Sequence, residues 1–428
     1  MNKFNTLLLS VSLVLSAFAA RSADFVVSGT ETSAVQRAVD AARAAGGGRV
    51  VVPAGEWRSG SIRLYSHVEL HLAEGARLVG GTSPDDYFDF PEEICSVAPE
   101  GSRKVFVYGW DAEDIAITGK GVIDGRGPEF FDRTKMVSWG NFWAKPSHPR
   151  PRMVEFVRCR KVRLEEATFK DSPGWTMLIR QCEDIAVRAI RVEADQRIIN
   201  SDGIDFDSCR RVRVGDSFFR TGDDCLILRA MRATGDEHAV CEDVVVSNCV
   251  LNSACQCVRI GCPSDDVIRK ALFRDIRAGG NNGIFFDYPV RYLRPDDEGY
   301  IDVSDLVFDG WKGEFTGSAI QIVVESAVRA RSIRDLAFRN FDVTSARQLR
   351  FVGNADAVLE GITLENIRAK VSAAQPCQIV STRPLEFRNC VFNDRKVEDG
   401  ERVVPGAPRT PLKRVGGSWE SAKPKAGR

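Results

Sequence analysis

The sequence predicts an all-β fold, a single-stranded right-handed parallel β-helix with an N-terminal capping helix. The first observation is a recurring unit of three variable residues followed by apolar-x-apolar. It reads CRKVRL at Cys159, CEDIAV at Cys182, CRRVRV at Cys209 and CEDVVV at Cys241. It continues as IRKALF at Ile268, VSDLVF at Val303, IRDLAF at Ile333, LEGITL at Leu359 and TRPLEF at Thr382, with an earlier copy, AEDIAI, at Ala112. The second is its alternation of apolar and polar residues, the period of a strand. The third is its spacing: from Cys159 the steps are 23, 27, 32, 27, 35, 30, 26 and 23 residues. Repeats of that length built from short strands must stack to bury their apolar faces. Helices are too few for a leucine-rich horseshoe, and the units are too short for propeller blades. Stacked parallel coils remain, about 4.8 Å apart. Asn follows many units, in VSNCVL, FRNF, LENI and FRNC, where it can turn the chain and bond along the stack.

A solenoid needs covered ends. At the N-terminal end, Ser33-Ala34-Val35-Gln36 has the pattern of a capping box. Val35, Ala38, Val39 and Ala42 then line one helical face, and Gly46-Gly47-Gly48 ends it. RVVVPAGEW follows as first strand and turn. Ahead of this cap, residues 1–20 read as a secretory signal peptide. Lys3 is the positive start, Leu7 to Phe18 the short apolar stretch, and Ala17-Phe18-Ala19 the small-residue cut site. The β-helix is expected over residues 24–396. The tail, 397–428, is rich in Pro, Gly, Lys and Arg without period, and reads as extended or disordered.

Of 428 residues 43% are hydrophobic, enough for a large core, and 59 basic residues balance 59 acidic ones. That balance gives no sign of a nucleic-acid or membrane-surface partner. With the leader, it predicts a secreted or periplasmic protein, acting as a monomer on a polysaccharide or oligosaccharide. Twelve cysteines in an exported chain invite disulfides. The four that open successive units, however, recur because the unit recurs, and read as a stack of buried thiols. Cys255, Cys257 and Cys262 lie close together, a weak zinc signal without an accompanying His.

The chemistry concentrates between Asn200 and Arg229, which hold six aspartates. Asp202 and Asp223 are 21 residues apart, close to one coil, so Asp202, Asp223 and Asp224 should converge on one face. Carboxylates that close cannot all ionise at neutral pH, and one becomes an acid beside bases. This is the equipment for cleaving a glycosidic bond, with no cofactor or metal required. Asp205 and Asp207 read instead as turn aspartates.

At these residues the chain resembles the polygalacturonases, pectin-degrading glycoside hydrolases of family 28, from about Asp24 to Asn389. AVQRAVDAARAAGGGRVVVPAGEW resembles the family's cap and first coil. ITGKGVIDGRG and RPRMVEFVRCRKVRLEEATFKDSPGWTM resemble its next landmarks, NSDGID its N-T-D motif, and TGDDC its G-D-D motif. The resemblance implies inversion at the anomeric carbon. Asp223 would protonate the leaving oxygen, and Asp202 and Asp224 would activate water on the opposite face, with ~6.5–9.5 Å between acid and base.

Two family motifs are altered. ACQCVRIG places Gln256 where the family has the histidine of G-H-G. NGIFFDYP places Phe285 and Asp287 where it has the arginine and lysine that clamp a galacturonate carboxylate. Either that subsite takes a neutral sugar, as in a branched or rhamnose-containing region, or another cation has moved in. Arg259 and Arg229 are the candidates, each otherwise a residue of a solvated strand face. Gln256, Arg259, Arg229, Asp287 and Tyr288 are therefore expected to bind substrate. Trp139, Trp143, Phe285, Phe286 and Tyr288 are aromatic platforms for sugar rings, and the insertion SWGNFWAKPSHPRPR would form a groove wall or an exo-type block. Two other functions fit the solenoid. One is a polysaccharide lyase whose carboxylates hold Ca²⁺, with Arg229 or Arg259 as base. The other is a sugar-binding solenoid without activity.

Overall fold

In the computed structural model the described residues are 23–98, 101–232, 238–295, 297–397, 412–415 and 418–421. Residues 1–20, read from the sequence as a signal peptide, lie outside them. The described residues form the expected right-handed parallel β-helix. Its parallel strand pairings form three stacks wound around one apolar core and joined into a single 31-stranded sheet. The sheet that matters for function runs through Lys104–Trp110, Arg152–Val157, Met177–Arg180, Ile204–Asp207 and Leu226–Arg229. It continues through the ends of Val240–Ile260 and Val267–Tyr288, then Ile320–Val324, Leu349–Val352 and Cys377–Val380.

The repeat unit explains the winding. Its third residue adopts left-handed backbone at Lys161, Asp184, Arg211, Asp243, Lys270, Asp305 and Asp335, with φ between 55° and 59°. That bend turns the chain into the next strand, whose alternate residues then point inward. Left-handed backbone is costly for most residues and cheapest for Gly, Asn and Asp. The second corner is the asparagine foreseen in the sequence. Asn248, Asn340, Asn366 and Asn389 all have positive φ. All four bond coil to coil: Asn389 Nδ2 donates to Asn366 (2.8 Å), Asn366 to Asn340 (3.0 Å), Asn340 to Asp309 (2.6 Å) and Asn248 to Asp216 (2.7 Å).

Cys159, Cys182, Cys209 and Cys241 are buried free thiols. Burial pushes the Cys182 and Cys209 thiols well up. Each points into the core from the same place in its coil, so the stack fills space with a small apolar group.

Helix α1 (Ala34–Ala44) covers the first coil with Ala34, Val35, Val39 and Ala42, while Ala38 is only half-buried. The capping box does not form: the Ser33 side chain caps no backbone N–H and instead accepts from Arg37 Nη1 (2.8 Å). Gln36 is drawn away to Asp40 and to the Arg63 backbone. Gly47 (φ 132°) donates to Ala42 O and packs so close to His67 that a Cβ would stand 2.7 Å from it, which requires glycine here.

At the far end Cys390–Phe392 and Arg395–Val397 pair antiparallel. Within the tail Leu412–Val415 and Ser418–Ser421 form an antiparallel pair, and its other residues after Val397 lie outside the described ones. Among the described residues no helix is long and apolar enough to cross a membrane.

Candidate active site

The acid residues stand on a turn that repeats from coil to coil. Thr176 N–H donates to Asp202 O (2.9 Å), Gly203 N–H to Asp224 O (2.8 Å), and Cys225 N–H to Gln256 O (2.9 Å). Asp202, Asp224 and Gln256 thus occupy one position in three successive coils. Gly203 permits this spacing, because a Cβ there would strike Cys225 O at 2.1 Å. Asp223 stands beside the row. Its backbone carbonyl accepts from Thr221 Oγ1 (2.5 Å) and Ser253 Oγ (2.6 Å), which fix the turn.

One carboxylate oxygen from each of Asp202, Asp223 and Asp224 lies within 4.8 Å of the others. Asp202 and Asp224 are buried and Asp223 is partly exposed. All three carboxyl groups are shifted upward. For Asp202 the cause is burial, then repulsion from Asp223, Asp205 and Asp224. For Asp224 it is burial, then Asp223, opposed by Arg259. Burial also raises Asp223, and Arg259 opposes it. Such a cluster holds at least one proton at neutral pH, leaving an acid next to a base. The separation is tighter than the ~6.5–9.5 Å expected for inversion. The cause is the rung geometry, since neighbouring coils are only about 4.8 Å apart. Three carboxylates offer part of the six to eight oxygens that Ca²⁺ takes, and the upward shifts mean protons compete for them.

Asp205 was misread from the sequence. It is not in a turn but in strand Ile204–Asp207, fully buried, and neither carboxylate oxygen has a hydrogen-bond partner. Burial pushes its carboxyl well up, with Arg229 opposing and Asp223 adding. It is a fourth acid in the site's electrostatics. Asp207, on the same strand, is structural. It pairs with buried Arg180 and accepts from Met231 N–H (2.8 Å).

Of the expected substrate-binding residues, Arg259 is best placed. Its side chain is 12% exposed and its Nη1 is 3.7 Å from Asp224 Oδ2. The Tyr292 ring lies 5.0 Å from the guanidinium. Gln256 follows Asp224 by one coil, half-buried, with Oε1 unpartnered. Asp287 also faces outward from the sheet. Burial raises its carboxyl, and Arg259, Arg291 and Arg350 oppose the rise. Arg229 is committed elsewhere, to a two-point pair with Asp265 (Nε 2.7 Å, Nη2 3.1 Å).

Tyr288 is a correction. It is fully buried, and its hydroxyl donates to Ile260 O (2.9 Å). Strand alternation sends Ile284, Phe286 and Tyr288 into the core together, so Tyr288 cannot touch a sugar. Phe286 and Trp143 are buried as well, while Trp139 is 66% exposed. Cys255, Cys257 and Cys262 form no metal group among the described residues. The Cys257 thiol bonds Leu251 O and Gly279 O, and Cys262 accepts from Arg259.

A hollow of about 570 Å³ lies elsewhere, between Lys170, Asp195, Arg197 and Arg220. Its charges are partly engaged with one another, as in Arg197–Asp195 (2.6 Å), and it contains none of the acid trio.

Known proteins resemble this chain in sequence and in fold. Residues 50–234 match the family model of glycosyl hydrolases family 28. A probable polygalacturonase of Vitis vinifera is 30% identical over 204 residues, 46% of this chain and 39% of its own length. An exo-poly-alpha-D-galacturonosidase of Dickeya chrysanthemi is 25% identical over 239 residues, 46% of this chain and 38% of its own. The chain thus spans less than half the length of these relatives. Among solved structures, a family 28 exopolygalacturonase of Yersinia enterocolitica superposes with a TM-score of 0.72 at 18% identity, covering 91% of this chain and 78% of that one. A polygalacturonase of Erwinia carotovora gives 0.64 at 17%, covering 88% and 98%. At such identities the superpositions speak for the fold.

Proposed function

We propose that this polygalacturonase-like chain, whose residues 50–234 match glycoside hydrolase family 28, is an exported enzyme that hydrolyses glycosidic bonds in pectic polysaccharide of galacturonan or rhamnogalacturonan type. The observation that carries this is the convergence of Asp202, Asp223 and Asp224 within 4.8 Å on adjacent coils, in surroundings that raise all three carboxyl groups.

Asp223, the most accessible of the three, is the one a leaving oxygen can reach, and it delivers a proton there as the bond breaks. Asp202 and Asp224 share the remaining negative charge and draw a proton from the attacking water. The proton taken from that water restores the trio's charge, and its passage to Asp223 within the trio restores the starting state. Inversion rests on the family resemblance, because the short carboxylate spacing alone is closer to that of retaining enzymes. The anomer that appears first in proton NMR of the products decides between them.

Arg259 takes the place of the family's missing clamp. It faces out of the sheet one coil after Asp224 and is the cation nearest the trio. As base of a lyase it would have to lose a proton from a guanidinium flanked by carboxylates, which is unfavourable. Arg229 is held by Asp265. The hydrolytic reading is therefore preferred to the lyase.

Incubation with galacturonan and rhamnogalacturonan fractions tests the proposal. New reducing ends without ultraviolet-absorbing unsaturated product are expected, and Asp223→Asn should abolish them. Unsaturated product would mean a lyase. Binding with neither would mean a carbohydrate-binding solenoid.

A further inference from the structure

The outward face of the site sheet changes character at the acid trio. Along one row, coil by coil, stand Tyr108, Glu155, Leu178, Asp205, Ile227, Arg259, Phe285, Gln321, Arg350 and Gln378 in register. Every member up to Ile227 is buried, although all point away from the core. From Arg259 onward all but Phe285 are partly open. A sheet face can be buried only if something lies on it.

Two segments cover the early coils. Ser83 to Val97 folds across the sheet, where Phe90 packs edge-on against Tyr108 (6.0 Å) and Trp110 (5.4 Å). Phe90, Cys95, Val105, Tyr108 and Val157 form a small apolar cluster of their own, outside the main core. Beneath this cover the Arg152–Glu155 pair is sealed, and Arg152 Nη1 donates to Ser102 O (2.7 Å). The second segment is the insertion around Trp143. Arg150 Nη1 donates to Pro173 O (2.8 Å) and Ile199 O (2.7 Å), and its Nη2 to Asn200 Oδ1 (3.1 Å). Trp143 N–H donates to Arg197 O (2.8 Å). These bonds fasten the cover to the loop that carries Asp202, two residues before the acid itself.

We infer that the site admits a pectic chain only by its end: the groove is walled on the N-terminal side of Asp202 and open along the later coils, so the enzyme trims chain ends. This rests on the hydrolase reading above. The chain lies over the half-open floor of Arg259, Gln321 and Arg350, and its terminal sugar stops against the wall. Polar atoms are waiting there. Asp202 Oδ1, Asp205 Oδ1 and Oδ2, Asp224 Oδ1 and Thr176 Oγ1 are buried without partners. Leaving such atoms unpaired is costly, and a terminal sugar meets this sealed cluster through the partly open Asp223, Gln256 and Arg259 beside it. A longer chain cannot thread past, because the cover is packed and hydrogen-bonded rather than an open loop.

The test sizes the earliest products from polymeric galacturonan and, separately, from rhamnogalacturonan. Release of mono- or disaccharide while viscosity falls slowly is the expected result. Defined galacturonan oligomers modified at one end or the other, by reduction to the alditol or by an unsaturated non-reducing sugar, sharpen it. One modification should lower kcat/KM by roughly tenfold or more, as when a polar site loses the group it was built to bond, and the other should not. Intermediate-length products from the start, with equal tolerance of both modifications, would overturn the end-only inference and leave hydrolysis standing. No new reducing ends on either polymer would overturn the hydrolase reading and this inference with it.

Discussion

Arg259 reaches back across one coil to Asp224, placing its guanidinium 3.7 Å from the carboxylate Oδ2. The contact is long for a hydrogen bond and the carboxylate's other oxygen is unpartnered. The arginine therefore lowers the cost of charge in the trio while keeping donors for a ligand.

Arg259→Ala should weaken binding of acidic galacturonan by roughly 10–100-fold in KM, the loss of a charged hydrogen bond of about 1.5–3 kcal/mol. Methyl-esterified substrate should suffer much less in KM. Because Asp224 also loses its cation, kcat should fall for both substrates. Steady-state kinetics on the two, side by side, separate the effects. Equal KM changes on both would remove Arg259 from carboxylate recognition.

Asp223→Asn keeps shape and removes the transferable proton. Its kcat should fall by roughly 10²–10⁴-fold with KM nearly unchanged. Asp202→Asn and Asp224→Asn should each be severe too, and the double variant little worse than either single one, since groups acting as a unit are non-additive. Circular dichroism of each variant separates chemistry from misfolding.

The pH dependence follows from the upward shifts of the trio. Activity needs Asp223 protonated and its neighbours sharing a negative charge. The rate should rise with pH until that charge is present and fall once Asp223 gives up its proton. Both limbs should lie above the ordinary carboxylate range near 4. Arg259→Ala removes the opposing cation and should move the limbs further up, which a kcat/KM profile would show.

Asp205 gives a stability test free of catalysis. Its carboxyl is raised by burial, so the folded state binds its proton more tightly than the unfolded state. The proton-linked contribution is whole below the unfolded value of about 3.9 and is lost as pH rises through the folded value. Asp205→Asn has nothing to ionise. Its Tm should exceed that of the parent at neutral pH, and the gap should close as pH falls below about 4. Thermal denaturation at a series of pH values checks this. A gap that widens toward acid would mean the carboxylate is stabilised as an anion.

The solenoid was legible because one unit, with its alternation and its corner residues, is written many times over. The meeting of Asp202 with Asp223 and Asp224 was legible for the same reason, as coil spacing turns sequence distance into adjacency. Tyr288 was misread although the signal was present: Ile284, Phe286 and Tyr288 share a parity, and a polar tip drew attention from it. Asp205 was misread because aspartate is rare in strands, although Ile204 and Phe206 on either side mark the alternation. The commitment of Arg229 was not legible, since Asp265 lies 36 residues on in a turn outside the repeat. Nor was the failed cap of α1. Arg37 took the serine oxygen that the pattern assigns to the backbone, and side-chain competition of that kind leaves no periodic trace.

The last three strand residues of the coil stack, Arg395 to Val397, run against the direction of every coil before them. Any parallel solenoid offers its final rung as a template on which a second molecule could continue winding. Here one of the three rims is occupied by the chain doubling back, and the returning strand carries Arg395 and Lys396, whose charges repel another basic edge. Shortening the protein after Phe392 would strip that guard. Light scattering should then report molecules joining end to end, fibre-like, while each one keeps its own winding.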